Sequence, residues 1–428
     1  MPWQFLVVDG ADASTVFPLP ERGAIVIGRS HDDVDIVLND LFIGRHHCQV
    51  EVTEEGTARV KHLYGAGGSF VNKVKIEHQH DLKEGDILRV GNTHMRLEPA
   101  AVAGPPAKAA QAARAAEAAA AAPPVKTPAA ATDSIGRLQG KILGHYEIGE
   151  TLAANACRAV YVAEDKKSNQ TIVLRVFATD FPANPQELQR FAAVMKQVLP
   201  LRHDYLVSLL GVGKNGPFTW IAREHVVGES LADVLKRQAA AGKTRPKWQR
   251  GLRLAMEMGF VLEYLHRQRH RHGRICPPNI LLESASRAAK LANLKLDEAL
   301  AGSALGEKIR AGRQPAEVAY VSPEQATAGA FVDELSDIYS LGAVVYARVT
   351  GRPPFLGTTA EETLEQVRDA PLTPPRRVNP SIPEAFEAII VKMLERRQED
   401  RLASASALLG ALEPFAAELE AGMSDSAG

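Results

Sequence analysis

Residues 100–137 divide the chain into two parts that must each fold alone. The stretch is rich in Ala and Pro and has almost no aromatic or large apolar side chains. It therefore has little to bury and should stay outside any core. Its middle, Lys108 to Ala122, lies between Pro105-Pro106 and Pro123-Pro124 and has the composition of a semi-rigid helix. A chain of 428 residues is also too long for one ordinary domain. The expected organisation is a domain over 1–99, a linker over 100–137, a larger domain over 138–415 and a flexible tail over 416–428.

The two flanks differ in pattern. Before the linker come short apolar runs such as Phe5-Leu6-Val7-Val8, Ala24-Ile25-Val26-Ile27 and Cys48-Gln49-Val50-Glu51-Val52, punctuated by Gly67-Gly68, Gly85-Asp86 and Gly91-Asn92. Short strands with frequent turns predict an all-β sandwich. After the linker the pattern is strand-rich to about Glu224 and helix-rich beyond it, which predicts a two-lobed α+β domain. Ile172 to Phe177 reads as a buried strand. Leu252, Leu254, Ala255, Met258, Val261, Leu262 and Leu265 recur at helical spacing, and Asp337 to Thr350 reads as a helix deep in a core.

Composition removes some function classes. A net charge of −1 supplies no overall field toward nucleic acid or a membrane. Cys48, Cys157 and Cys276 form no metal-ligand pattern and fit a reducing, cytoplasmic setting. The start, MPWQFLVVDG, is not a signal peptide, and no run approaches the roughly 20 apolar residues of a spanning helix.

In the first domain three pieces occur in order: Ile27-Gly28-Arg29-Ser30, Ile43-Gly44-Arg45-His46-His47-Cys48 and Gly67-Gly68-Ser69-Phe70-Val71-Asn72, followed by Leu82-Lys83-Glu84-Gly85-Asp86. The set resembles the forkhead-associated domain, a β-sandwich that reads phosphothreonine peptides with loops at one end. The resemblance implies that Arg29 forks onto the phosphate with two charged hydrogen bonds, with Ser30 completing the pocket. Two departures weaken it: Gly44 stands where the family usually has serine, and Gly67 where it usually has asparagine. Each lost hydrogen bond to a charged group costs roughly 1.5–3 kcal/mol, unless Arg45, Ser69 or Asn72 compensates. His47 reads as a core histidine.

The second domain carries Tyr146-Glu147-Ile148-Gly149-Glu150-Thr151-Leu152, His272 with Pro277-Pro278-Asn279-Ile280-Leu281-Leu282, Ala319-Tyr320-Val321-Ser322-Pro323-Glu324, Asp337-Ile338-Tyr339-Ser340-Leu341-Gly342 and Asp400-Arg401. This series resembles a bacterial, eukaryotic-type Ser/Thr protein kinase. The resemblance implies where the chemistry would sit: a glycine loop over ATP, a phosphate lysine, a base and two magnesium ligands. Here the loop glycines align with Ala153, Asn155 and Arg158, the lysine with Arg175 and its glutamate partner with Val194. The base aligns with Arg274, a phosphate-steadying lysine with Cys276 and an activation-sensing arginine with Gly273. The metal ligands align with Asn279 and Asn293. Glu324 with Arg401, and Asp337, match fold-keeping positions. Arg223 and the hinge residue Glu224 lie at the back of the nucleotide pocket.

An arginine is not deprotonated in proteins, and two amides offer a hard cation no carboxylate. These positions predict a non-enzymatic pseudokinase scaffold without ATP or magnesium, partnered by phosphorylated proteins or an active Ser/Thr kinase. They predict neither nucleic acid nor membrane as partner. Thr127 and Thr132 in the linker are candidate phosphorylation sites. Two rivals remain: an active Ser/Thr kinase with rearranged residues, for which Asp297 and Glu298 are the nearby carboxylates, and a nucleotidyl-transferring enzyme of the same fold. Arg158, Arg175, Arg274 and Lys295 would leave the cleft basic and able to hold an anion.

Overall fold

The computed structural model describes residues 3–9, 14–28, 34–38, 43, 46–53, 55–63, 69–72, 74–76, 79–91, 93–100, 135–241 and 246–415. Residues 101–134 of the expected linker, the tail from 416, and Arg29, Ser30, Gly44, Arg45 and Gly67 lie outside the described residues. The chain divides into two compact units.

The N-terminal unit is built of strands in two sheets. One runs Val16–Pro18, Trp3–Asp9, Thr93–Pro99, Ile87–Val90, Ser69–Val71 and Val74–Lys75 in spatial order. The other runs Ile36–Val37, Gly23–Gly28, Cys48–Val52, Ala58–His62 and Gln79–Leu82. Alternation decides which side chains go inward. Cys48, Val50 and Val52 are buried while Gln49 and Glu51 are not, and Val50 pairs with Val60 across the strands. Phe5, Val7, Leu88, Met95 and Leu97 from the first sheet join Ile27, Val50 and Val60 from the second in one apolar core. His47 is fully buried and meets His62 edge-on, as the sequence suggests.

The second unit opens on an antiparallel sheet ordered Ile142–Leu143, Tyr146–Ala154, Arg158–Asp165, Gln170–Phe177, Phe218–Glu224 and Leu209–Asn215. Packing begins earlier than the composition suggests. Ile135 and Leu138 are buried, and the Tyr161 hydroxyl donates to the Ile135 carbonyl. The helix Pro185–Val198 starts at Asn184, whose side chain accepts from the Glu187 amide, while Glu187 reaches back to the Ala183 amide. Phe177, Phe181 and Phe191 pack edge-to-face with centroids 5.4–5.7 Å apart, fastening this helix to the end of the sheet.

The helix-rich half is organised around Trp248–Arg267 and Leu335–Thr350. All seven residues read at helical spacing in the first are buried, and every residue from Ser336 to Val349 in the second is buried. Gly342 permits close approach there: a Cβ at this position would fall 2.7 Å from the Met393 Cβ. No helix among the described residues is long and apolar enough to cross a membrane.

Candidate functional site

The loop that follows Trp248–Arg267 is shaped by one buried carboxylate. Asp337 accepts from the His272 amide at 2.7 Å and the Gly273 amide at 2.8 Å, and His266 Nε2 lies 3.1 Å away. Burial works upward on the Asp337 carboxyl, but His266, His272 and the amide hydrogen bonds outweigh it and hold its pKa low. His272 Nε2 lies 3.0 Å from the Ala292 carbonyl, and its Nδ1 accepts from the Arg274 amide. Those contacts assign the proton to Nε2. The loop backbone is therefore held whatever side chain stands at 274. Glu324 and Arg401 form a two-pronged ion pair at 2.7 and 2.8 Å.

A cavity of about 230 Å³ opens where this loop faces the sheet. Arg158 and Arg175 come from strands of the sheet and Asn155 from the hairpin tip, Arg274 and Asn279 from the loop, and Asn293 from just past the strand Ala289–Leu291. Asn155 Oδ1 accepts from the amides of Cys157 and Arg158, so the hairpin tip closes on itself. Ala153 is exposed and does not line the cavity. Val194 is buried in its helix, and Cys276 is buried, its thiol pushed up by burial. Glu224 accepts from the Ser208 amide and pairs with Lys290. Arg223 is partly buried beside it, its Nε without a partner.

Arg175 is only 4 % exposed, and its Nε and Nη1 have no hydrogen-bond partner. Burial, then the cations of Arg223, Arg158 and Arg274, pull its pKa well below the ordinary arginine value, with Asp297 opposing. A guanidinium keeps its proton in a protein. That downward pull therefore reflects how poorly the charge is neutralised.

The carboxylates in the cavity are Asp297 and Glu317. Arg274 Nη1 reaches Asp297 at 3.2 Å, and Arg313 pairs with the other Asp297 oxygen. Burial works upward on Asp297, but Arg274 and Arg313 outweigh it and keep it below the usual carboxylate value. Glu317 is half-buried, 3.8 Å from Arg274, and accepts from the Gln314 amide.

Two expectations need correction. Lys295 does not line the cavity. It has left-handed backbone at φ 54°, and its ammonium donates to Gln197 at 3.0 Å and lies 3.5 Å from Glu298. Glu298 is spent on that contact and is also outside the cavity. Lys308, Arg313 and Glu317 take part instead, carried in by the segment after 300. No local sequence signal marked them.

The fit of a divalent cation is poor. Asn279 Oδ1 already accepts from Asn293 Nδ2 at 2.7 Å, and Asn279 Nδ2 donates to the Arg274 carbonyl. Asn293 Oδ1 is the spare amide oxygen, and Asp297 is taken by two guanidinium groups. Among the described residues no group of three His, Cys, Asp or Glu side chains is placed to hold a metal.

Of the forkhead-type candidates, Ser69 and Asn72 are described. Ser69 is fully buried, with its hydroxyl 3.1 Å from His62 Nδ1. Asn72 has φ 50° and ties its turn together, donating to Asp86 at 2.7 Å and accepting from the Ile87 amide at 3.0 Å. Both are engaged within the unit.

Comparison with known proteins places these features. A crystal structure of Rad53 residues 1–466 in complex with AMP-PNP superposes with a TM-score of 0.50 at 19% identity, covering 97% of this chain and 100% of that one. The Mycobacterium tuberculosis PknI kinase domain gives 0.50 at 21% identity, covering 64% and 98%. These likenesses show the fold alone. The serine/threonine-protein kinase PknB of Mycolicibacterium smegmatis is 30% identical over 267 residues, 61% of this chain and 41% of its own length. A probable serine/threonine-protein kinase of Clostridium perfringens is 26% identical over 275 residues, 64% of this chain and 39% of its own. The chain thus spans about two-fifths of the length of these relatives. Residues 6–101 match the family described as the inner membrane component of T3SS, cytoplasmic domain. The expectation of a non-enzyme, drawn from the replaced positions, is overturned by these relatives, which are named as Ser/Thr protein kinases. The protein kinase domain family matches residues 146–411, more than half of the chain, and the chain belongs to that family.

Proposed function

We propose that the chain is a Ser/Thr protein kinase-like phosphotransferase with a rearranged cleft. The observation that carries this reading is the placement of the Asp297 and Glu317 carboxylates in one cavity with Arg158, Arg175 and Arg274. Phosphoryl transfer asks mainly for charge neutralisation around the phosphates and an acceptor for the hydroxyl proton. The arginines supply the first. Glu317 is the better acceptor, because Asp297 is held by two guanidinium groups while Glu317 has one at 3.8 Å. The substrate hydroxyl would lose its proton to Glu317 as its oxygen bonds to phosphorus and the donor's bridging P–O bond breaks. Transfer of label from γ-labelled ATP to a protein substrate tests the reading. Glu317→Gln should slow transfer by roughly 10²–10⁴-fold, the usual contribution of a positioned base. No transfer by the parent protein, with or without magnesium, would sink it, as would an unimpaired variant.

For the N-terminal unit the reading is a forkhead-associated phosphopeptide reader with phosphorylated proteins, a Ser/Thr kinase among them, as partners. Its two sheets around one core support this. A phosphothreonine peptide should bind the chain and fail to bind Arg29→Ala; equal binding by the two would refute it.

A further inference from the structure

We propose that the cavity is a metal-independent binding site for a compact phosphoryl anion of pyrophosphate size, gripped directly by Arg158, Arg175 and Arg274. The proposal rests on the kinase-family reading only for the location of the cleft.

Charge is the first argument. Five cationic side chains line the cavity, Arg158, Arg175, Arg274, Lys308 and Arg313, against the two carboxylates Asp297 and Glu317. The carboxylates do not reach the deepest cation. Asp297 is engaged by Arg274 and Arg313, and Glu317 lies nearest Arg274, which leaves the Arg175 Nε and Nη1 unpartnered at 4 % exposure. Buried charges are normally paired. An unpaired, buried guanidinium at the cavity wall is a charge without a counter-ion, and a phosphoryl anion placed against it supplies that counter-charge.

The metal argument runs the same way. A divalent cation placed among five cationic side chains would meet repulsion, with Asn293 Oδ1 as the uncommitted amide oxygen to receive it. That oxygen is an acceptor and gives nothing to an anion, so the grip comes from the arginines. Size is the last argument. At about 230 Å³ the cavity is smaller than the roughly 300–1,000 Å³ of drug-sized ligand sites. The lining suits a phosphate chain better than a whole nucleoside.

The test is a thermal-melt and calorimetric titration of the full chain in excess EDTA, using inorganic pyrophosphate, ATP and adenosine as separate probes. Pyrophosphate should bind and raise the melting temperature in EDTA, and adding magnesium should weaken it by competing for the anion. Arg175→Met should weaken pyrophosphate binding at least tenfold. Arg158→Gln, nearer the opening, should weaken it severalfold, which guards against any misfolding of the first variant. ATP binding as tightly as pyrophosphate, with adenosine inert, would identify phosphates alone as the ligand; tighter ATP binding would identify a nucleotide as their source. Binding only in the presence of magnesium, no pyrophosphate binding at all, or binding by both variants as tight as by the parent would overturn the proposal. Pyrophosphate binding without phosphotransfer would sink the kinase reading and leave this one standing.

Discussion

Two buried arginines in the same unit have opposite surroundings. Arg401 is shut away with two bonds to Glu324, further bonds to the carbonyls of Glu395, Leu335 and Arg396, and the Tyr339 ring 4.9 Å from its guanidinium carbon. Arg175 is nearly as buried, yet it has two nitrogens without a partner and three cationic neighbours. Identical chemistry in the two places serves different ends. A satisfied buried ion stiffens the fold, whereas an unsatisfied one beside open space marks where something else can bind.

The comparison breaks first on stability. Arg401→Met should cost about 3–5 kcal/mol, since Glu324 would be left buried and unpaired; denaturant unfolding of the full chain measures it. A loss under about 1 kcal/mol would mean that the pair is ornamental.

Acid provides the next test. Burial works upward on Glu324, but Arg401 and Ser336 outweigh it and depress its pKa. A depressed folded-state value means that this stabilisation is complete above the unfolded glutamate value, about 4.3. It then fades as pH falls through the lower folded value. Glu324→Gln should flatten that acid-side loss while lowering stability at neutral pH. An unchanged acid limb would disconnect the pair from acid stability.

The smallest effect should have the opposite sign. Arg175→Met, with no ligand present, should raise stability by about 1–2 kcal/mol, because it removes an unpaired buried charge and replaces it with a flexible apolar side chain. Destabilisation would make Arg175 a structural residue like Arg401.

Reading the sequence succeeded where order along the chain carries the information. The Glu324–Arg401 pair and the grip of Asp337 on the loop backbone are found where the motifs put them. It failed where chemistry arrives from a distance. Glu317 and Arg313 reach the cavity through a segment whose path depends on packing, and neither sits in a pattern that announces a site. Lys295 stays out of the cavity through its left-handed backbone and its bond to Gln197, neither of which its sequence neighbours encode. Ile135 follows the Ala/Pro run among Asp133, Ser134, Gly136 and Arg137, so composition assigns it to the linker, although its carbonyl is claimed by Tyr161.

The aromatic triangle of Phe177, Phe181 and Phe191 bears on how the cavity behaves. Phe177 both lines the cavity and anchors the helix Pro185–Val198, while Val194 leaves that helix no charge at the position that aligns with the glutamate of the family's ion pair. At the sheet the helix is therefore seated on rings, while Arg190 and Gln197 tie it by hydrogen bonds to the Ala301 carbonyl and Lys295. Ionic strength screens charges but leaves a ring contact nearly untouched, whereas cooling weakens it. The wall of this cleft at the sheet should respond more to temperature than to salt, while the arginines beside it respond to salt strongly.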